Sequence, residues 1–250
     1  MISSTKAIVL NKKNFGDTSL ICNLFSNQYG KITIIAKGAK SIKNPLGALL
    51  QPLNYIDCVY YYKSNRNIQT LTEASLINKY YEIEKKFVKM QYALTIIDVI
   101  NHVTHAEYPS EIIFRLTYKT LETINNEDVN KINISFIFFQ LQYLRYLGYD
   151  PAINYCVNCN TQLINAIFDY SAGQLVCIQC SNNKSDIKFD QETLSIVQFL
   201  MKTHITKIIS SFNYDIKKCK IINKFLFKFM MFHLPDVRKS KALKALYHDS

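Results

Sequence analysis

The chain has 250 residues, 48% of them hydrophobic and 20% charged, which is enough to bury a sizeable core and excludes a disordered polypeptide. No apolar run approaches the roughly 18 residues a membrane-spanning helix needs, and Ala7 to Leu10 is too brief for a signal-peptide core, so a cytoplasmic protein is expected. Thirty Lys and Arg against 19 Asp and Glu leave a net charge of +11, a surplus that suits a polyanionic partner.

The first 80 residues read as short strands. Lys6 to Leu10 is β-rich, and Thr18 to Phe25 carries Leu20, Cys22 and Leu24 on one face. Lys31 to Lys37 sets Ile32, Ile34 and Ala36 against Lys31, Thr33, Ile35 and Lys37. Gln51 to Lys63 and Asn67 to Leu76 follow, with a polar turn at Ser64 to Arg66. Turn signals fall at Gly16, Gly30 and the Gly38 to Gly47 stretch. Five short strands in this length predict a small closed barrel of the OB type over residues 1–79.

From about Lys79 the period becomes helical. Ile83, Phe87, Met90, Leu94 and Ile97 form a predicted inward stripe. Pro109 and Ser110 open a second helix, with Ile113, Leu116 and Leu121 inward. A third runs from Val129 to Leu147 and stops at Gly148. Asp190 is placed as the N-cap of a helix carrying Leu194, Val197, Met201 and Ile205, and a last helix spans about Lys217 to Phe232. The fold class is α+β: an N-terminal OB-fold β-barrel, then an α-helical domain over residues 80–250 with an irregular insert at about 151–185.

That insert carries Cys156, Cys159, Cys177 and Cys180 as Cys-x2-Cys-x17-Cys-x2-Cys. Two-residue spacers let both thiolates of a knuckle reach one ion, and two knuckles complete a tetrahedral Zn2+ site. Paired disulfides are the competing reading, which a reducing compartment disfavours. A closed four-thiolate shell is structural, as it leaves no open coordination position. Ile167, Phe168 and Tyr170 suit a small hairpin turned at Gly173, while Cys22, Cys58 and Cys219 read as core residues.

The search for catalytic residues finds no strong constellation. Lys40-Ser41 lacks the glycines of a phosphate-binding loop. His105-Ala106-Glu107 ahead of a Cys-x-x-Cys is similar to a zinc-dependent nucleobase deaminase, but Tyr155 stands where that pattern has Pro, and the second cysteine pair already fills the shell. A zinc-module regulator that reads duplex DNA stays open as a further class. Binding is the preferred reading over catalysis.

Charge placement sharpens it. Residues 1–80 carry net +7, residues 81–201 net −4 and residues 202–244 net +9. Lys31 and Lys37 share a strand face, Lys40 and Lys43 lie in the loop after it, and Lys12, Lys13 and Phe15 occupy a preceding loop. Together they read as one DNA-binding lining, with cations for phosphates and aromatics for bases.

The run Gly16-Asp17-Thr18-Ser19-Leu20, then Gly30-Lys31 and Ile35-Ala36-Lys37-Gly38-Ala39-Lys40-Ser41, resembles the N-terminal barrel of the RecO recombination-mediator family. Leu141 to Pro151, leading into Cys156-Val157-Asn158-Cys159, resembles that family's helix ahead of its zinc finger. Asn44 and Pro45 stand where the family often has Ser and Arg, a local departure in the lysine loop. The resemblance implies a bacterial DNA repair protein without catalytic chemistry. It implies binding to single- and double-stranded DNA, annealing of strands coated with single-strand-binding protein (SSB), and RecA loading with RecR. It also implies docking of the acidic SSB C-terminal tail, for which Lys220, Lys224, Phe225 and Lys228 on the last helix are the candidates. An amphipathic helix packed on the core is the competing reading of those four. Nucleoid association is expected from the same resemblance, and no membrane partner is expected from the lack of a long apolar run.

Overall fold

The computed structural model describes residues 1–104, 110–181, 185, 187–203 and 215–248. These form two compact units: residues 1–126 with 239–246, and residues 127–238 with 247–250.

In the first unit, β1 (Ile2–Phe15), β2 (Ser19–Ser26), β3 (Gly30–Ala36), β4 (Tyr55–Tyr61) and β5 (Ile68–Asn78) close a barrel in the order β1-β2-β3-β5-β4. Closure depends on β1, which is longer than its hydrophobic pattern suggests. Ile2 to Ile8 pair with β4, Ala7 to Phe15 pair with β2, and the register shifts between Val9 and Asn11. That irregularity bends the strand so that one chain serves two neighbours. The ring is completed by the parallel pairing of Thr33, Ile34 and Ile35 with Ile68, Gln69 and Thr70. Leu20, Cys22, Leu24, Ile34 and Ala36 point inward as their alternation predicts, and Ile56, Cys58, Tyr60 and Leu71 fill the core from the other side.

A short α1 (Leu46–Leu49), absent from the sequence expectation, interrupts the stretch before β4. The predicted first helix divides into α2 (Tyr81–Lys85) and α3 (Phe87–Val103) because Lys86 adopts an extended backbone, with φ −125° and ψ 116°. The break changes the helical phase. Phe87, expected inward, is 80% exposed, while Ala93, Ile96, Ile97 and Ile100 are buried. Helix α4 (Glu111–Asn126) opens where Ser110 Oγ accepts the Ile113 N–H at 3.1 Å; Pro109 lies outside the described residues. Phe114 of α4 packs on Phe25 and Tyr55, with ring centroids 5.7 and 5.9 Å apart. Contacts of this kind contribute about 0.5–1.5 kcal/mol each beyond area burial, and they cover one outer pole of the barrel.

The chain returns to this unit at its far end. Ser240 Oγ accepts the Leu243 N–H and donates to Asp98 Oδ2 at 2.7 Å, and the same carboxylate oxygen accepts the Ala242 N–H. Asp98 of α3 thus holds the N-terminus of α8 (Lys241–His248), where a carboxylate complements the helix dipole.

The second unit contains α5 (Val129–Tyr146), the hairpin β6 (Ala166–Asp169) and β7 (Gln174–Cys177), the short β8 (Lys188–Phe189), α6 (Gln191–Lys202) and α7 (Ile216–His233). Helix α5 ends at Gly148, whose φ of +83° suits a C′ glycine. The hairpin turns at Gly173, with φ +62°, and a Cβ there would stand 2.3 Å from the Phe232 ring of α7. Only glycine fits so close an approach. Asp190 caps α6 as expected, accepting the Thr193 N–H at 2.8 Å; Ile205, the last residue of the predicted stripe, lies outside the described residues. Lys218 of α7, 14% exposed, spans Asp190 at 2.9 Å and Glu192 at 2.6 Å.

The Thr193 hydroxyl, the Thr193 N–H and the Lys218 ammonium together hold the Asp190 carboxyl down to about 2. Its ordinary unfolded value is about 3.9, so the stabilisation is fully present above pH about 4 and lost as pH falls toward 2. Replacing Asp190 with Ala is expected to cost about 1 kcal/mol at pH 7, the usual effect of removing an N-cap. Urea midpoints at pH 7 and pH 3 check this: the gap between variant and parent should be narrower at pH 3.

Candidate nucleic-acid interface and metal centre

Strand register determines which barrel residues share a surface. Lys13 lies opposite Ile21, Ile21 opposite Ile35, Ile35 opposite Thr70, and Thr70 opposite Tyr61. Ile21, Ile35 and Thr70 alternate with buried neighbours and therefore face outward; Tyr61 follows the buried Tyr60, and Lys13, among exposed residues, takes the same side through its pairing with Ile21. At strand spacings near 4.8 Å they form a belt that runs about 19 Å around the outside of the ring, one position on each strand. Phe15, two residues beyond Lys13 and 53% exposed, continues the same face.

The predicted DNA-binding residues divide along this geometry. Lys12, Lys13 and Phe15 are on strand β1 and not in a loop. Adjacent strand residues point to opposite faces, so Lys12 leaves the belt and donates to Gln51 Oε1 at 2.6 Å. Lys31 sits opposite Phe25, at the pole covered by helices, and its Nζ donates to the Asn101 carbonyl of α3 at 2.7 Å. Lys37 lies at the other end of that strand face and is exposed. Lys40 N–H donates to the Thr18 carbonyl, and Lys40 Nζ lies 3.4 Å from the Gly16 carbonyl, which draws the 38–44 loop beside the β1–β2 turn. Lys43 is exposed on the same loop.

Next to Lys37 the structure contains a groove of about 470 Å3 that sequence reasoning missed. Tyr61 at the end of β4, with Lys63 and Arg66 of the β4–β5 connection, forms its far wall, and Ile68, Gln69 and Thr70 of β5 complete it. Of these, only Lys37 is among the DNA-binding candidates that the sequence offers. The others read as a strand end and a polar turn, because the pairing of β3 with β5 that brings the two walls together leaves no local trace.

The four cysteines converge. Each Sγ lies within 4.8 Å of the others, against about 3.8 Å between thiolates that share one ion tetrahedrally at about 2.3 Å. Cys156 and Cys159 flank a tight turn in which the Asn160 N–H donates to the Cys156 carbonyl at 2.9 Å, with Asn160 at φ 55°. Cys177 ends β7, and Cys180 closes the 3-10 turn that follows.

Four thiols this close share protons when no cation is present. The Thr161 hydroxyl and N–H, with Cys180, bring Cys159 down to about 6, while hydrogen bonds with Cys159 and Cys177 push Cys180 up to about 12. Burial raises the Cys156 thiol, but N–H donors from Cys177, Cys159 and Asn158 outweigh it and hold it below its ordinary value. A divalent cation balances the charge and ionises the set. The donor set and its spacing therefore fit a metal. Cys22, Cys58 and Cys219 are buried, and burial raises each thiol to about 11 or 12. His105 and Glu107 of the deaminase-like motif lie outside the described residues.

On α7, Lys220 and Lys224 are exposed, whereas Lys228 lies over the Tyr170 and Phe227 rings at 5.9 and 5.8 Å. Phe225 needs correction as a partner-contacting residue. It is fully buried, with its ring centroid 5.6 Å from Phe168, 5.2 Å from Phe189 and 5.6 Å from Phe229. The apolar face of α7 serves the core.

An OB-like barrel followed by a helical region with a four-cysteine centre defines the class. Within it, residues 1–80 match the family model described as recombination protein O N terminal, and residues 84–242 match recombination protein O C terminal. The chain belongs to the RecO family of DNA repair proteins. It is 33% identical to the DNA repair protein RecO of Salinibacter ruber over 61% of this chain and 58% of that protein. It is 32% identical to the RecO of Pelodictyon phaeoclathratiforme over 67% of this chain and 64% of that one. These two matches span less than two thirds of the relatives' length. A third, to the RecO of Alkaliphilus metalliredigens, is 26% identical over 95% of this chain and 96% of the relative.

The protein is expected to carry one equivalent of divalent metal, measured by inductively coupled plasma mass spectrometry. The Cys156→Ser/Cys177→Ser double variant should carry none, while the circular dichroism of its barrel persists.

Proposed function

We propose that this chain is a recombination mediator that works by binding and annealing DNA. It takes single- and double-stranded DNA on the outer face of its barrel and pairs complementary strands coated with SSB. With RecR it assists the loading of RecA, in the cytoplasm and at the nucleoid. The observation that carries this reading is the belt from Lys13 to Tyr61, with Lys37, Lys40 and Lys43 at its border. Cations there neutralise phosphates of any sequence, and exposed rings offer bases a sequence-tolerant surface. Among the described residues, no helix is long and apolar enough to cross a membrane.

In this reading the cysteine centre holds Zn2+, for which four thiolates at tetrahedral spacing are a characteristic shell. Its role is structural. Binding at such a site contributes about 10–16 kcal/mol of apparent free energy, which stabilises the hairpin and its knuckles. For the acidic SSB tail, the candidates are Lys220, Lys224 and Lys228, without Phe225. Spaced four apart, the three lysines share one side of α7.

The deciding experiment is a salt titration of oligo(dT) binding followed by fluorescence anisotropy. Lys37, Lys40 and Lys43 changed together to Ala should weaken binding to all sequences alike. At about 0.7 per neutralised phosphate, the log-log salt slope should flatten by about 2. Lys31→Ala, already engaged with Asn101, should change it least. An unchanged slope in the triple variant moves the site off the barrel. For the tail, Lys220→Glu with Lys224→Glu should reduce anisotropy of a labelled acidic peptide at low salt; undiminished binding places that dock elsewhere.

A further inference from the structure

We infer that the groove between Lys37 and the β4–β5 connection is a single-nucleotide subsite, and that it lets this barrel distinguish single strands from duplex. The inference rests on the DNA-binding reading above and assigns it a discriminating element. The groove's volume, about 470 Å3, lies within the range of small-ligand sites and is far too small for a helical duplex about 20 Å wide. Its walls carry two kinds of group. Lys37, Lys63 and Arg66 are cations, suited to phosphates that single and double strands display alike. Tyr61 is 48% exposed and Ile68 is 40% exposed, an aromatic ring and an aliphatic side chain against which the face of a base can lie.

Access to that ring is what separates the two forms of DNA. A base in duplex is covered on both faces by its neighbours and reaches Tyr61 only after flipping out, at a cost of a few kcal/mol. A base in a single strand needs no such step. The cations therefore supply affinity for both forms, and Tyr61 supplies the difference between them.

The groove is also held in shape in advance. Gln69 is 7% exposed, and its side chain faces the turn that presents Lys63 and Arg66. Its Nε2 donates to the Lys63 carbonyl at 3.1 Å and the Arg66 carbonyl at 2.7 Å, and its Oε1 accepts the Lys63 N–H at 2.8 Å. The Arg66 N–H closes the turn on the Lys63 carbonyl at 3.1 Å. Gln69 is thus a positioning residue. It fixes the backbone from which both cations project, so ordering the turn costs no entropy when DNA binds.

The test uses the full chain, with anisotropy on labelled oligo(dT) and on a blunt duplex of equal length in the same buffer. Tyr61→Ala should lower single-strand affinity by about 5- to 150-fold, the range for loss of one stacking ring, and leave duplex affinity unchanged. Tyr61→Phe keeps the ring and should bind both like the parent. Lys63→Ala with Arg66→Ala should weaken both forms and flatten the single-strand salt slope by about 1.4. Gln69→Leu should flatten that slope although no cation has been removed, while the fold, followed by circular dichroism, is retained. Equal losses on both DNA forms with Tyr61→Ala, or no loss on either, overturn the subsite, and an unchanged slope in Gln69→Leu removes its positioning role. The Lys37, Lys40 and Lys43 variant, read in the same titrations, separates the two levels: if it still shows the flattened slope, the barrel-face reading stands and the subsite alone has failed.

Discussion

The barrel depends on one bent strand. Because β1 shifts register between Val9 and Asn11, its first half bonds to β4 and its second half to β2. Without that bend the five strands form an open sheet with two unpaired edges, which a protein must otherwise cover or charge. With it, the ring closes, the small core of Cys22, Leu24, Ile34 and Cys58 is sealed, and every outward side chain acquires a fixed neighbour across the strands. The surface assigned to DNA is a consequence of that closure.

Much of this architecture is legible in the chain itself. Alternation in β2 and β3 identifies the inward residues directly, and the cysteine spacing foretells a centre whose four sulfurs do meet. Three features escape for physical reasons. The second half of β1 is polar from Asn11 to Asn14 and exposed from Lys12 to Phe15, so hydrophobic pattern cannot mark it as strand. The apolar period runs unbroken through Lys86, and the backbone turn there leaves Phe87 exposed while Ile83 and Ile97 of the same predicted stripe are buried. Phe225 shows the limit of amphipathic reasoning most plainly. Pattern divides a helix into two faces but cannot say whether the apolar one meets a partner or the protein's own sheet, and here Phe168 and Phe189 occupy it.

The same distinction applies to charge. A surplus of +11 describes the whole chain, but the structure commits several cations to its own carbonyls and carboxylates. Lys31 is tied to Asn101, Lys89 is buried with its Nζ on the Asn125 carbonyl, and Lys218 spans Asp190 and Glu192. Such lysines stabilise the fold and are poor reporters of binding. Lys13, Lys37 and Lys43 of the barrel are exposed, and the arrangement of cations around Tyr61 matters more than their number.

The clasp of Asp98 on Ser240 and Ala242 has a consequence for how the molecule comes into being. The first unit is discontinuous: its barrel and α2–α4 precede the whole of the second unit in the chain, while the helix that Asp98 receives follows it. A ribosome delivers residues 1–126 long before residues 239–246. The barrel has therefore had time to form, and Asp98 waits, still solvated, while α5, the cysteine hairpin and α7 are made. Completion of the first unit therefore waits until the second has been made, and the carboxylate that caps α8 acts as a latch closed only after residues 127–238 have been synthesised.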